Sequence, residues 1–175
     1  MRGPAVFGLR GVLVTVLLAA LVGCAGRGEP PATASASPAV APVSVTPALA
    51  DEIRRSAMCV DQVEGRPAFA PLRAKAPDAA QMTPAHLADE SLATAEEQVL
   101  LRQFAAAIQP CRPRFAAEGK VERLVLDTWA KQERLYADLA TKRIAWGRFN
   151  RLSGDLEDTF RAALQPLAQT SGSPR

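Results

Sequence analysis

The chain has 175 residues, 48 % hydrophobic and only 5 % aromatic, and a formal net charge of +3. That length holds one domain plus tails, and its periodic segments are rich in Ala and Leu, which favours helix over sheet. Setting aside residues 1–23, which carry Arg2 and Arg10 and no acid, leaves 19 basic against 18 acidic side chains, so the apparent basicity gives no whole-chain footprint for nucleic acid.

In chain order, a short positive start is followed by Val12 to Val22, eleven residues without a charge. This is the length of a signal-peptide core and well short of the roughly 20 residues a spanning helix needs. The run ends in Leu21-Val22-Gly23-Cys24, which resembles the lipobox of bacterial lipoproteins: an aliphatic residue, a small or aliphatic one, Gly, then Cys. The resemblance covers residues 1–24 and implies that residues 1–23 are a signal peptide. It also implies that the Cys24 thiol takes a diacylglyceryl group and that the amino group freed by cleavage is acylated. Several acyl chains, at about 0.8 kcal/mol per buried CH₂, anchor far more firmly than one. The chain is thus expected to be exported and held on the periplasmic face of a bacterial membrane. By the same resemblance, Ala25 rather than Asp after the Cys favours the outer membrane.

Residues 24–47 form the expected lipid-anchored linker. Ala25 to Pro47 contains five Pro, two Gly, three Ser and two Thr, with Arg27 and Glu29 its only charges. Such a segment buries too little apolar surface to offset its ordering entropy, and Pro and Ala stiffen it towards extended forms. Fully stretched it reaches on the order of 70 Å, enough to clear a lipid surface.

Residues 48–168 read as an all-α small bundle of about four principal helices. Thr46-Pro47 provides an N-cap and a first-turn proline, Leu49, Ile53, Ala57, Val60 and Val63 recur at helical spacing, and Gly65 closes the segment. Pro67, Pro71, Pro77 and Pro84 then divide an irregular stretch, with Phe69 and Leu72 docking onto the core and Thr83-Pro84 starting a short turn. Thr94 to Glu97 is a capping box. It opens a helix whose apolar face runs through Leu100, Leu101, Phe104, Ile108, Cys111 and Phe115, with a kink expected at Pro110 and Pro113 and an end at Gly119. Val121, Val125, Thr128, Trp129, Gln132, Leu135, Tyr136 and Leu139 line the third helix. Its outer side sets Arg123, Asp127 and Lys131, then Arg134, Asp138 and Lys142, at four-residue steps that suit ion pairs. Trp146, Phe149, Leu152, Leu156, Phe160, Ala163, Leu164 and Leu167 line the fourth, with Gly147 and Gly154 expected on its outer face. Thr141 to Ala145 makes the turn of a C-terminal antiparallel hairpin, and residues 169–175 are expected to be a disordered tail.

With Cys24 assigned to lipid, Cys59 and Cys111 remain, an even number in an oxidising compartment. A redox or metal pair and a structural disulfide are the alternatives. Their 52-residue spacing excludes a CxxC motif, and a structural disulfide is expected. The one histidine, His86, lies in the irregular segment. With Cys59, Cys111 and Asp89 it matches no closed zinc pattern, and oxidation would remove both thiolates. The sequence has no G-x-S-x-G, phosphate-cradling glycine loop or H-E-x-x-H. No catalytic residue, metal ligand or cofactor is therefore assigned. Of the four paired acids, Asp51-Glu52, Asp89-Glu90, Glu96-Glu97 and Glu157-Asp158, two pairs lie in a helix's first turn, where negative charge favours the dipole, and that explanation suffices. Trp129, Tyr136, Trp146 and Phe149, at helical spacing, read as core.

Residues 102–151 carry eleven basic against five acidic side chains, whereas residues 51–97 carry nine acidic against five basic. Solvation and mutual attraction of helices explain this dipole. The sharper reading is a basic binding surface on the hairpin, carried by Arg143, Arg148 and Arg151 and facing anionic lipid or wall polymer. Lys142 to Arg151, with the Cys pair, resembles a hairpin in small exported helical proteins of proteobacteria that have no assigned activity, and it brings no catalytic residues with it.

These features make the expected function that of a membrane-anchored envelope lipoprotein whose bundle binds an envelope protein partner or has a structural role. The alternative is a small-molecule or peptide-binding module with a pocket between helices. Cys24→Ala is expected to abolish labelling by radioactive fatty acid, and labelling that persists would refute the lipid anchor.

Overall fold

In the computed structural model, which describes the backbone of residues 46–170 and the side chains of residues 46–164, the first helix begins where the Thr46-Pro47 signal places it. The Thr46 hydroxyl accepts from the Leu49 amide at 3.2 Å, and α1 runs Pro47–Glu64. Cys24, the export segment, the linker through Val45 and the tail beyond Thr170 lie outside the described residues. Four principal helices, α1, α4 (Ala95–Ile108), α5 (Lys120–Ala140) and α6 (Trp146–Thr170), are joined by two short ones, α2 (Ala70–Lys75) and α3 (Pro84–Leu87). Among the described residues there is no strand, and the fold is an all-α small bundle. The helical unit thus extends to Thr170, two residues past the expected boundary.

Three of the four prolines of the middle stretch fall at element starts, and Pro77 lies in the loop after α2. Pro67 opens a 3-10 turn, Pro71 lies in the first turn of α2, and Pro84 is the first residue of α3. Each occupies a position whose missing N–H costs nothing. Phe69 and Leu72 are buried as expected. Thr83 caps α3 with His86 as its reciprocal partner, the Thr83 amide donating to His86 Nδ1 at 3.2 Å.

The capping box of α4 is present, with Glu97 N donating to Thr94 Oγ1 at 3.2 Å and Thr94 N to Glu97 Oε2 at 2.8 Å. The helix ends earlier than expected. Instead of kinking and continuing to Gly119, it stops at Ile108 and passes into a 3-10 turn, Gln109–Cys111. Pro110 lacks the amide that would continue the ladder and its ring opposes the carbonyl four residues back, so the helix terminates. Gly119 instead stands at the N-cap of α5.

The disulfide Cys59–Cys111 forms, with 5.3 Å between Cα atoms, and ties α1 to the turn after α4. Closing a loop of 52 residues stabilises by about 4 kcal/mol through loop-closure entropy. Beside it, Arg55 donates to both carboxylate oxygens of Glu52 at 2.8 Å and to the Arg112 carbonyl at 3.0 Å, and Glu52 accepts from the Arg114 amide at 2.5 Å. This network satisfies backbone groups in a proline-broken segment that cannot pair them itself.

The α5–α6 hairpin turns at the expected residues. Arg143 N donates to Asp138 O at 2.8 Å and Lys142 N to Leu139 O at 3.1 Å, a Schellman ending with Lys142 at φ 60° where glycine is usual. Asp138 pairs with Arg143 at 3.3 Å, across the turn rather than along the helix.

Two apolar clusters fill the bundle. The larger joins α1, α2, α4 and the hairpin through the ring series Phe69–Phe104–Tyr136–Phe149–Trp146, with centroids 5.2 to 6.2 Å apart. The smaller unites Leu49 and Ile53 of α1, Val121 and Val125 of α5 and Phe160 of α6.

The placement of Gly147 corrects the expected outer-face position. It is buried in the first turn of α6, where its amide donates to Asp89 O at 2.6 Å. A Cβ there would stand 2.5 Å from the Leu87 carbonyl oxygen and 2.9 Å from the Asp89 backbone, whereas one at Gly154 meets nothing within 4 Å. Gly147→Ala is therefore expected to destabilise the fold by about 1–3 kcal/mol, and Gly154→Ala to stabilise it by about 0.5–1 kcal/mol. Denaturant titrations of the two variants check this; an equal response at both sites would refute the close packing at Gly147.

Candidate ligand cavity

Between the two apolar clusters the bundle does not close. A cavity of about 420 Å³ opens there, bounded by α1, α5, α6 and the segment from Ala76 to Leu87. Its volume lies in the range of small-molecule sites. The wall is largely apolar, with Val60, Phe104, Ile108, Trp129, Tyr136, Phe149 and Phe160 among its residues. The gap exists because inward positions that would fill it carry small or polar side chains: Ser56 on α1, Ala76 after α2, Thr128 on α5, and Asn150 and Ser153 on α6.

The polar atoms are placed by the same helices. Asn150, 2 % exposed, donates from Nδ2 to the carbonyls of Lys75 and His86, each at 3.0 Å. Both neighbours are acceptors, so the amide orientation is fixed and Oδ1 is turned away from them, without a hydrogen-bond partner among the described residues. Ser56, 1 % exposed, likewise has no partner for its hydroxyl among the described residues. Glu64, 4 % exposed, brings a carboxylate to the same wall. Burial, reinforced by the Glu64 charge, pushes the Tyr136 phenol far above its ordinary value, although a hydrogen bond with Gln132 opposes the shift. Gln132 also donates to Ser153 Oγ at 3.3 Å. Burial raises the Glu157 carboxyl as well, and the charge of Arg161, 2.8 Å away, partly offsets it.

The segment closing one side of the cavity is fastened to the start of α6. Trp146 N donates to Ser91 O at 3.1 Å, and the Arg151 guanidinium donates to the Leu87 carbonyl. Lys75 Nζ reaches Asp89 Oδ2 at 3.0 Å and Ser91 Oγ at 3.2 Å.

The residues singled out from the sequence are distributed otherwise. Arg143, Arg148 and Arg151 are all exposed, Arg143 engaged with Asp138 in the turn and Arg151 with the Leu87 carbonyl at the cavity edge. Cys59 and Cys111 form the disulfide, and His86 Nδ1 serves the α3 cap. Among the described residues no group of His, Cys, Asp and Glu has a metal-holding arrangement. Trp129, Tyr136, Trp146 and Phe149 do belong to the core, while three of them also line the cavity. Sequence reasoning missed Ser56, Glu64 and Asn150. The available signal was polar residues inside the apolar sectors of α1 and α6, since Ser56 lies three residues after Ile53 and Asn150 follows Phe149.

Comparison with protein-family models, curated proteins and solved structures finds no match to this chain. The cavity therefore has to be read from its own chemistry.

Hydrogen bonds from the Ser91 side chain and amide, with the Lys75 ammonium beside them, hold the Asp89 carboxyl down from 3.8 to about 2. The folded state thus binds this proton less readily than the unfolded chain. The stabilisation is fully present above pH 3.8 and disappears as pH falls towards 2. Asp89→Asn is expected to cost about 1–2 kcal/mol at neutral pH, allowing for partial exposure. Acid titration of both proteins should show the difference shrinking below pH 4, and a constant difference would refute the assignment.

Proposed function

We propose that the protein is an envelope lipoprotein, anchored through acyl groups on Cys24, whose helical domain is a binding module for a small ligand held between its helices. The anchoring rests on the lipobox resemblance and the eleven-residue apolar run before it. Among the described residues, no helix is long and apolar enough to cross a membrane. The binding role rests on one observation: a cavity of about 420 Å³ whose wall is mainly apolar and whose buried polar atoms are held by a fixed side-chain network. Apolar surroundings with a few placed polar groups are the usual composition of a ligand site.

The expectation of an envelope protein partner has less geometry behind it. The exposed large apolar side chains among the described residues are Met58, Leu92 and Val99, which lie on α1, before α4 and on α4 and do not line the cavity. Single exposed apolar residues are ordinary on protein surfaces.

Trp129 in the cavity wall gives the readout. An apolar fluorescent dye is expected to bind saturably at one site and to quench Trp129. Ser56→Leu, which places an isobutyl group in the cavity, is expected to weaken that binding at least tenfold with helical circular dichroism unchanged. Undiminished binding in this folded variant would locate the dye elsewhere and overturn the reading.

A further inference from the structure

The shape of the cavity and the state of its charges select the chemistry of its ligand. On α5 the wall runs from Val125 to Tyr136 and on α6 from Phe149 to Phe160, eleven residue steps on each helix. The helices are antiparallel, and the two ends match across the hairpin. The Tyr136 and Phe149 rings stand 5.3 Å apart at one end, Gln132 meets Ser153 at 3.3 Å between, and Val125 and Phe160 share the smaller apolar cluster at the other. The cavity is therefore a slot laid along the hairpin, and at about 1.5 Å per residue it is about 16 Å long. Spread over that length, the volume of about 420 Å³ leaves a mean section of about 26 Å². Such a slot is about 5 Å across, little more than the ~4 Å contact width of a single row of carbon atoms.

The charged side chains of the wall are already answered. Glu133 lies 3.8 Å from Arg112 and accepts from the Trp129 indole at 3.0 Å, and Arg161 pairs with Glu157 and Asp158, each at 2.8 Å. The Arg151 guanidinium is spent on the Leu87 carbonyl, Glu64 is engaged within the protein, and Asp155 is exposed to water. An ionic ligand would shed its hydration here and find each buried counter-charge already engaged. What the wall offers is apolar contact.

Resting on the binding-module reading, we infer that the ligand is an unbranched aliphatic chain, laid along the hairpin from the Tyr136–Phe149 end to the Val125–Phe160 end. An extended chain advances about 1.2 Å per bond, one third of the reach of a residue, so a slot of about 16 Å takes about a dozen carbons. Each CH₂ taken from water into the slot tightens binding about fourfold. A compact body of the same carbon number covers only part of the length and is wider than the slot.

The test titrates the intact protein with unbranched 1-alkanols from hexanol to tetradecanol, read by tryptophan fluorescence and by displacement of the apolar dye. Affinity is expected to rise about fourfold per added CH₂ through dodecanol. 1-Adamantanol, a cage with the carbon number of decanol, is expected to bind at least tenfold more weakly than decanol once each affinity is divided by its water-to-octanol partition. Thr128→Leu fills the slot one turn in from Val125, and is expected to end the rise about four carbons earlier with helical circular dichroism unchanged. If that variant does not fold, the wild-type series and the cage comparison decide. Dodecanoyl lysophosphatidylcholine, below its micelle concentration, separates the two sources of such a chain. Binding within tenfold of dodecanol assigns the chain to a lipid tail with its head in water, and weaker binding assigns it to a free aliphatic molecule. Adamantanol matching decanol on the partition scale, with both lost in Ser56→Leu, would overturn the chain while leaving the cavity a binding site, as would dye binding without alkanol binding. A wild-type rise that stops by octanol, or a folded Thr128→Leu protein with an unchanged series, would overturn the seating along the hairpin. Failure of the dye and every alkanol to bind would overturn the binding-module reading, and the chain with it.

Discussion

The side-chain amide of Asn150 holds the least regular part of the molecule to its most regular helix. Lys75 ends α2 and His86 lies in α3, and carbonyls at helix ends have no partner within their own helix. The stretch around them is divided by prolines and cannot supply the missing donors locally. One buried amide on α6 supplies both, across separations of 75 and 64 residues. The adjoining backbone contacts at Trp146 and Gly147 then bring residues 89–91 against the same helix start. Remove this attachment, and the segment closing one side of the cavity loses the bonds that hold it.

The same amide stands at the cavity wall, where satisfying two carbonyls fixes the direction of Nδ2 and leaves Oδ1 buried without a partner among the described residues. The larger cluster on one side, stapled by the disulfide, and the smaller cluster on the other keep the gap from collapsing. Interiors are normally packed to crystal-like density, and an unfilled volume costs stability. Small and polar residues at inward positions of three helices are thus poorly explained by packing and are the kind of local inconsistency expected at functional sites.

Charge is distributed differently from what the sequence suggests. Counted along the chain, the excess of basic residues between 102 and 151 draws attention to the hairpin. In three dimensions Arg143 and Arg151 are engaged with the protein's own acid and carbonyl groups. Several acids stand around the cavity, Glu64 and Glu157 buried or nearly so, and Glu157 and Asp158 are paired with Arg161 and Glu133 with Arg112. A one-dimensional charge count registers the number of groups but not the burial that multiplies their effect.

Local sequence determined the helices. Thr46-Pro47, the Thr94–Glu97 box and the spacing of apolar residues on α1, α5 and α6 depend on interactions within a few residues, and each element begins where those signals stand. The Cys59–Cys111 pairing was legible as well, because the lipobox resemblance sets Cys24 apart from the other two cysteines. What lay beyond sequence was set by contacts between distant residues. Pro110 signalled the break that ends α4, but the course of the chain after it is fixed by the disulfide and the Arg55–Glu52 network that receive it. Gly147 looked like an outward glycine until the 87–89 backbone was packed against it. Ser56, Glu64 and Asn150 were visible only as polar residues in apolar sectors. That they face one cavity is a property of how α1, α5 and α6 are held apart, which no single stretch of the chain encodes.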